Sequence, residues 1–255
     1  MQVSRIIAGA LTAWLAAGAA LAQAPADKSA KPEKIQRQEE NLGITAHIGA
    51  EIGAIYRFDT RYEGLKGSPY LVKGWNRADL ITNDGRHVKQ LPVRYDVYGK
   101  RLIVRKGQDS IWVDKTSVRE FLLFDAPSPS LPARYERRFR VFADAPDADL
   151  RGSFVELLHE GPQYALLKLP RKKVLKANYK DPYAADRPYD QLLDGETYFL
   201  RRPDGSVVEV KASLRSLAAA DEPLGQKLKA EAIRTKVTGK SEAELVDLLQ
   251  GVDKR

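Results

Sequence analysis

Ala78–Tyr98 reads ADLITNDGRHVKQLPVRYDVY. A short apolar run, Ala78 to Thr82, meets Asn83-Asp84-Gly85. Asp-Gly supplies the positive φ that primed hairpin turns require, so the stretch reads as a β-hairpin. On its far side Val93, Tyr95 and Val97 alternate with Arg94, Asp96 and Tyr98. That is the period-2 pattern of a strand with one buried face. The same grammar continues outward. Gly99-Lys100 turns the chain into Leu102 and Val104, and Lys106-Gly107 leads to Ile111 and Val113. Val118 to Phe124 and Tyr135 to Phe142 follow, separated by a three-proline interstrand loop, Ala126 to Ala133. Turn signals recur about every ten residues, the spacing of an antiparallel meander.

Further along, Ser153–Glu160 and Tyr164–Leu169 flank a Gly161-Pro162 turn, which favours a hairpin over one broken helix. Lys172–Lys176 reads as a further short strand, and Asn178–Asp194 (NYKDPYAADRPYDQLLD) as a loop insertion. Pro203-Asp204-Gly205 joins another hairpin, from Thr197–Arg201 to Val207–Val210. The C-terminal stretch changes to helical spacing. Leu224, Leu228 and Ala232 mark one short helix; Ser241 and Glu244 form a capping box before Leu245, Leu248 and Leu249. The predicted class is mainly β (α+β): an antiparallel meander, curled sheet or sandwich over residues 42–212, with a helical pair over 213–255 packed on it.

The N-terminus carries an address. Arg5 precedes an uncharged, Ala-rich apolar stretch, Ile6–Leu21, that ends in small-x-small sites. The stretch is shorter than the ~20 residues needed to span a bilayer, so residues 1–22 read as a secretory signal peptide. Cleavage is expected between Ala22 and Gln23, because the alternative site would place Pro25 directly after the cut. No cysteine follows, as a lipoprotein would require. Residues 23–41 are polar and charged, with too little apolar surface to offset ordering, and read as a flexible leader. Ile44–Ile48 reads as a first strand or edge segment.

The 255 residues include 42 Lys+Arg against 34 Asp+Glu, for a net charge of +8. Removing the signal peptide, residues 1–22, removes only one of these charges, Arg5. A basic exported protein meets lipid headgroups, acidic glycans or acidic proteins rather than nucleic acid. Without cysteine there is no disulfide scaffold, thiol nucleophile, thiolate zinc site or iron–sulfur cluster.

The sequence carries no recognisable catalytic motif. His159-Glu160 begins like a zinc-helix motif, but position 163 is Gln163 rather than a second histidine. No G-x-S-x-G elbow, phosphate loop or dinucleotide fingerprint occurs. No catalytic residue, metal ligand or cofactor is assigned. Glu156 and Glu160, four apart in a strand pattern, are expected on one face, where a carboxylate pair would serve a hydrolase. Candidate ligand-binding residues fall in two places. Tyr183, Asp186, Tyr189 and Asp190 lie in the loop insertion, where tyrosine faces stack on sugars and aspartates accept their hydroxyls. Arg137 and Arg138 belong to a basic, aromatic-interleaved run with Arg134, Tyr135, Phe139 and Arg140. A second basic patch comprises Arg171, Lys172, Lys173 and Lys176.

Arg61–Leu71 (RYEGLKGSPYL), Trp75, Val93–Tyr98, Phe121, Phe154–Gly161 (FVELLHEG) and Leu166-Leu167-Lys168 together resemble a group of uncharacterised, signal-peptide-bearing, β-rich bacterial secreted or periplasmic proteins. The resemblance implies export and a β-rich fold, and brings no activity with it. The expected function is that of an exported, non-catalytic protein, periplasmic or extracellular, that binds an anionic envelope polymer, a lipid or a protein partner. The alternatives are a carboxylate-dependent hydrolase acting on glycans, and a carrier enclosing an apolar ligand in a curled sheet.

Overall fold

The computed structural model describes residues 62, 64–107, 109–124, 136–143, 145, 147–177 and 189–254. The leader, the Ala22–Gln23 junction, Ile44–Ile48, the three-proline loop, and Tyr183 and Asp186 lie outside the described residues.

The structure is mainly β. The strands are β1 (Leu65–Lys66), β2 (Asn76–Thr82), β3 (His87–Asp96), β4 (Arg101–Lys106), β5 (Asp109–Val113), β6 (Val118–Leu123), β7 (Arg137–Val141), β8 (Phe154–Glu160), β9 (Ala165–Leu175), β10 (Asp190–Arg201) and β11 (Val207–Val210). A one-turn helix, α1 (Ala148–Gly152), precedes β8. Helices α2 (Leu214–Ala220), α3 (Glu222–Thr235) and α4 (Glu242–Val252) follow β11. All eleven strands join one sheet, in the order β1-β10-β9-β8-β7-β6-β2-β3-β4-β5, with β11 also on β10. The pairs are antiparallel except β1, which runs parallel to β10 and makes the sheet mixed.

The sheet curls along β2–β8. The order places β5 and β6 four steps apart, about 19 Å in a flat sheet. Yet only Asp114–Ser117 connects them, a reach of about 17 Å fully extended. The connection is pinned beneath the β2–β3 turn, where the Asn83 amide donates to the Ser117 carbonyl at 3.1 Å. Similarly, β3 and β8 are four steps apart, yet the Tyr95 hydroxyl donates to the Phe154 carbonyl at 3.2 Å.

Curling lets one sheet face bury itself. Leu80, Val88, Val93, Leu102, Phe121, Phe139 and Phe154 are essentially inaccessible. Phe121 and Phe139 stack at 4.8 Å, with Tyr95 edge-on to both and Phe154 edge-on to Phe121 and Tyr95. Those rings fill the space inside the curl that an apolar-ligand carrier would have to leave open. Tyr95 is pushed up in pKa by its burial and keeps its proton for the Phe154 carbonyl.

Beyond the curl the sheet is covered by helices. Leu166, Leu200, Leu217, Leu224, Leu228, Leu245, Leu248 and Leu249 form a second cluster, in which α2–α4 cover β8–β11. The expected helical pair is α3 and α4; α2 is an additional helix of about two turns whose N-cap Ser213 side chain accepts from Ser216 N. Ser241 caps α4 by accepting from Glu244 N at 3.2 Å. The Glu244 carboxylate reaches back one residue further than expected, to Lys240 N at 3.0 Å. A third cluster, including Leu150, Val155, Leu167 and Phe199, lies on the opposite face under α1.

Three expectations change. Lys172–Lys176 is no separate strand: β9 runs unbroken through Pro170, because that residue sits where the β8 ladder has ended and no amide is needed. The loop insertion ends at Asp190 rather than Asp194, since β10 begins there, paired with β9 and β1. Glu156 and Glu160 face opposite sides. The β8–β9 register shifts between Leu157 and His159, and one extra residue reverses every side chain beyond it.

Candidate functional site

A cleft of about 220 Å³ opens where the β3–β4 turn meets β9 and the start of β8. Val97, Tyr98 and Lys100 line it from the turn, Ser153 from the residue before β8, and Leu169–Lys173 from β9. Four of its residues are basic: Lys100, Arg171, Lys172 and Lys173. Tyr98 stands at its rim, 41% exposed.

Local geometry holds these groups in place. Lys100 takes a left-handed backbone, φ +54°, in the turn after Gly99, a conformation that costs a non-glycine residue of the order of 1 kcal/mol. The turn is braced by Asp96, which is fully buried, accepts from Gly99 N at 2.7 Å and receives the Tyr62 hydroxyl. Asp149 on α1 bridges Lys100 Nζ (3.0 Å) and Arg171 Nη1 (2.6 Å). Those bonds hold the Asp149 carboxyl below the usual carboxylate range. Arg171 also donates to Thr197 Oγ1 at 2.9 Å, so its guanidinium is fixed from two sides. Lys172 pairs with its cross-strand neighbour Asp194. Lys173 is exposed, and no described carboxylate lies against it. Two carboxylates against four cations leave the cleft net positive, suited to an anionic group.

The second basic patch of the sequence therefore lines the cleft through three of its four members. The fourth, Lys176, pairs with Asp190 at 2.8 Å. Asp190 also accepts from Ala177 N, so it closes the end of the β9–β10 hairpin and stands below its usual pKa for that reason, the Lys176 bond acting most strongly. Tyr189 is covered by Lys66 Nζ, 3.5 Å above its ring centre.

The first basic patch lies elsewhere and is engaged by carboxylates. Arg137 forms a two-pronged pair with Glu156, at 2.7 and 2.8 Å, with both side chains buried. Arg138 and Arg140 share Glu120 and Glu160 on the opposite sheet face. Glu156 and Glu160 are thus held in separate ion pairs. The Glu156–Lys168–Tyr198 register row continues to Glu242, whose Oε2 accepts from Lys168 (2.7 Å) and Tyr198 (2.8 Å).

His159 is buried, with Nε2 3.1 Å from Asp253 Oδ2. Asp253 also accepts from Gln163 N and Tyr164 N, so the pair fastens the end of α4 to the β8–β9 turn. The Tyr164 hydroxyl, pushed up to about 12 by burial and by its bond to Asp221, fastens the start of α3. Among the described residues no group of three or more His, Asp or Glu is placed to hold a metal ion. Nor is any described helix long and apolar enough to cross a membrane.

Sequence reasoning missed Tyr98, Lys100 and Ser153 as site residues. The Gly99-Lys100 turn was visible, but its apposition to β9, some seventy residues on, follows from the curl. No protein-family model, curated protein or solved structure matches the chain.

Proposed function

We propose that the chain is an exported, non-catalytic binding protein that holds an anionic envelope component in the cleft between the β3–β4 turn and β9. Export rests on the signal-peptide reading of residues 1–22 and on the resemblance to secreted β-rich proteins. Binding rests on one observation: Lys100, Arg171, Lys172 and Lys173, from two distant parts of the chain, converge on one cleft with an exposed tyrosine at its rim. Opposed charge at a partly open site attracts over about 10 Å at moderate salt and weakens as salt rises.

The test uses protein beginning at Gln23. Retention is measured on anionic and neutral lipid vesicles, lipopolysaccharide and polyglutamate at 50 and 200 mM salt. At least one anionic probe should be retained, more weakly at the higher salt, and Lys173→Glu with Lys100→Glu should abolish retention while the thermal melt stays cooperative. No retention of any probe, or retention unchanged in the double variant, overturns the reading.

A further inference from the structure

Antiparallel β8 pairs with β9 only from Ala165 to Lys168, whereas β9 continues to Leu175. From Arg171 to Leu175, no described strand pairs with the β9 edge opposite β10. Pro170 explains the break and shows which groups face outward. In a regular antiparallel ladder the amides of alternate residues point to the same edge. The β9–β10 register is regular from Ala165 to Leu175, so position 170, where an amide is missing, belongs to the set facing away from β10. Lys172 and Val174 share that parity, and their N–H and C=O groups point outward. The cleft opens at the start of this edge, where β8 diverges at Ser153. Two of the four large apolar side chains that the described residues leave exposed, Tyr98 and Leu175, mark the two ends of this stretch.

We infer that this edge captures an extended acidic polypeptide segment, which adds to β9 as a further strand and lays its carboxylates against Lys100, Arg171 and Lys173. The inference rests on the binding role proposed for the cleft and names its ligand. Charge complementarity selects the occupant: the edge and cleft carry Lys100, Arg171, Lys172, Lys173 and Lys176 against Asp149, Asp190 and Asp194. The main-chain ladder selects a polypeptide over a lipid or a glycan, because only a peptide backbone offers alternating donors and acceptors at the strand spacing.

The probe is a fluorescein-labelled octapeptide of alternating Thr and Glu, followed by anisotropy with protein beginning at Gln23. Binding should fall at least tenfold when every peptide nitrogen is N-methylated, which leaves the charge intact and blocks both edges of the peptide. It should fall as far with Val174→Pro, which removes an outward amide that β10 does not use, and with Lys173→Glu. Thermal melts of both variants check the fold; the methylated peptide tests the ladder without altering the protein. Equal binding of methylated and unmethylated peptide overturns strand addition. Binding of vesicles or lipopolysaccharide without the peptide overturns this inference and leaves the anionic-ligand reading standing. Failure of every anionic probe overturns both.

Discussion

Removing Arg137 should cost this protein more than any surface ion pair. The Arg137 and Glu156 side chains are 7% and 2% exposed, and two parallel hydrogen bonds join them. Arg137→Ala leaves a carboxylate beside the aromatic core with its partner gone. Breaking a buried pair from one side costs about 3–5 kcal/mol. Lys168, the register neighbour of Glu156 on β9, still faces the carboxylate, which places the loss near the lower figure. At ~2–4 °C per kcal/mol for a chain of this size, the melting temperature should drop on the order of 10 °C. Replacing both partners, Arg137→Met with Glu156→Leu, should restore most of the stability, since apolar side chains of similar volume avoid the desolvation. Urea denaturation of the parent, Arg137→Ala and the double variant at pH 7 measures both effects. A single-variant deficit under about 1 kcal/mol, or a double variant no more stable than the single one, refutes the reasoning.

Two further outcomes follow from other contacts. Burial pushes the Glu120 carboxyl up, but the bonds from Arg138 and Arg140 outweigh it and hold it below its usual range; a depressed acid contributes stability above its unfolded value and loses it as pH falls through the folded one. Glu120→Gln should therefore cost about 1–3 kcal/mol at pH 7, with the gap to the parent closing below about pH 4, read by urea midpoints across pH. A Cβ at Gly161 would collide with the Asp253 carboxylate and His159 Nε2, so Gly161→Ala should displace the α4 fastening and cost about 1–3 kcal/mol; a neutral melt would show that Asp253 does not hold that turn.

The hairpin at Asn83-Asp84-Gly85, the alternation of Val93, Tyr95 and Val97, and the Ser241 cap are all local, and all were legible. Turn chemistry and side-chain period act over a few residues, where sequence neighbours are spatial neighbours. The Glu156–Glu160 expectation failed at the first non-local feature, since a bulge is set by which residues the partner strand offers. The basic run at Arg137–Arg140 read as a surface for ligands because its carboxylate partners, Glu120, Glu156 and Glu160, come from other strands. The His159–Asp253 contact joins residues 94 positions apart, beyond any local pattern.

Strand content, the turns and the C-terminal helices belong to the chain's local chemistry, because backbone preference and apolar period are properties of short segments. The closure of β2–β8 around Phe121 and Phe139 is a tertiary decision, as are the partners that neutralise each arginine and the meeting of Lys100 with Arg171 at the edge that Pro170 leaves open. Each depends on which distant strands share a register, and register is selected by burying one whole face at once.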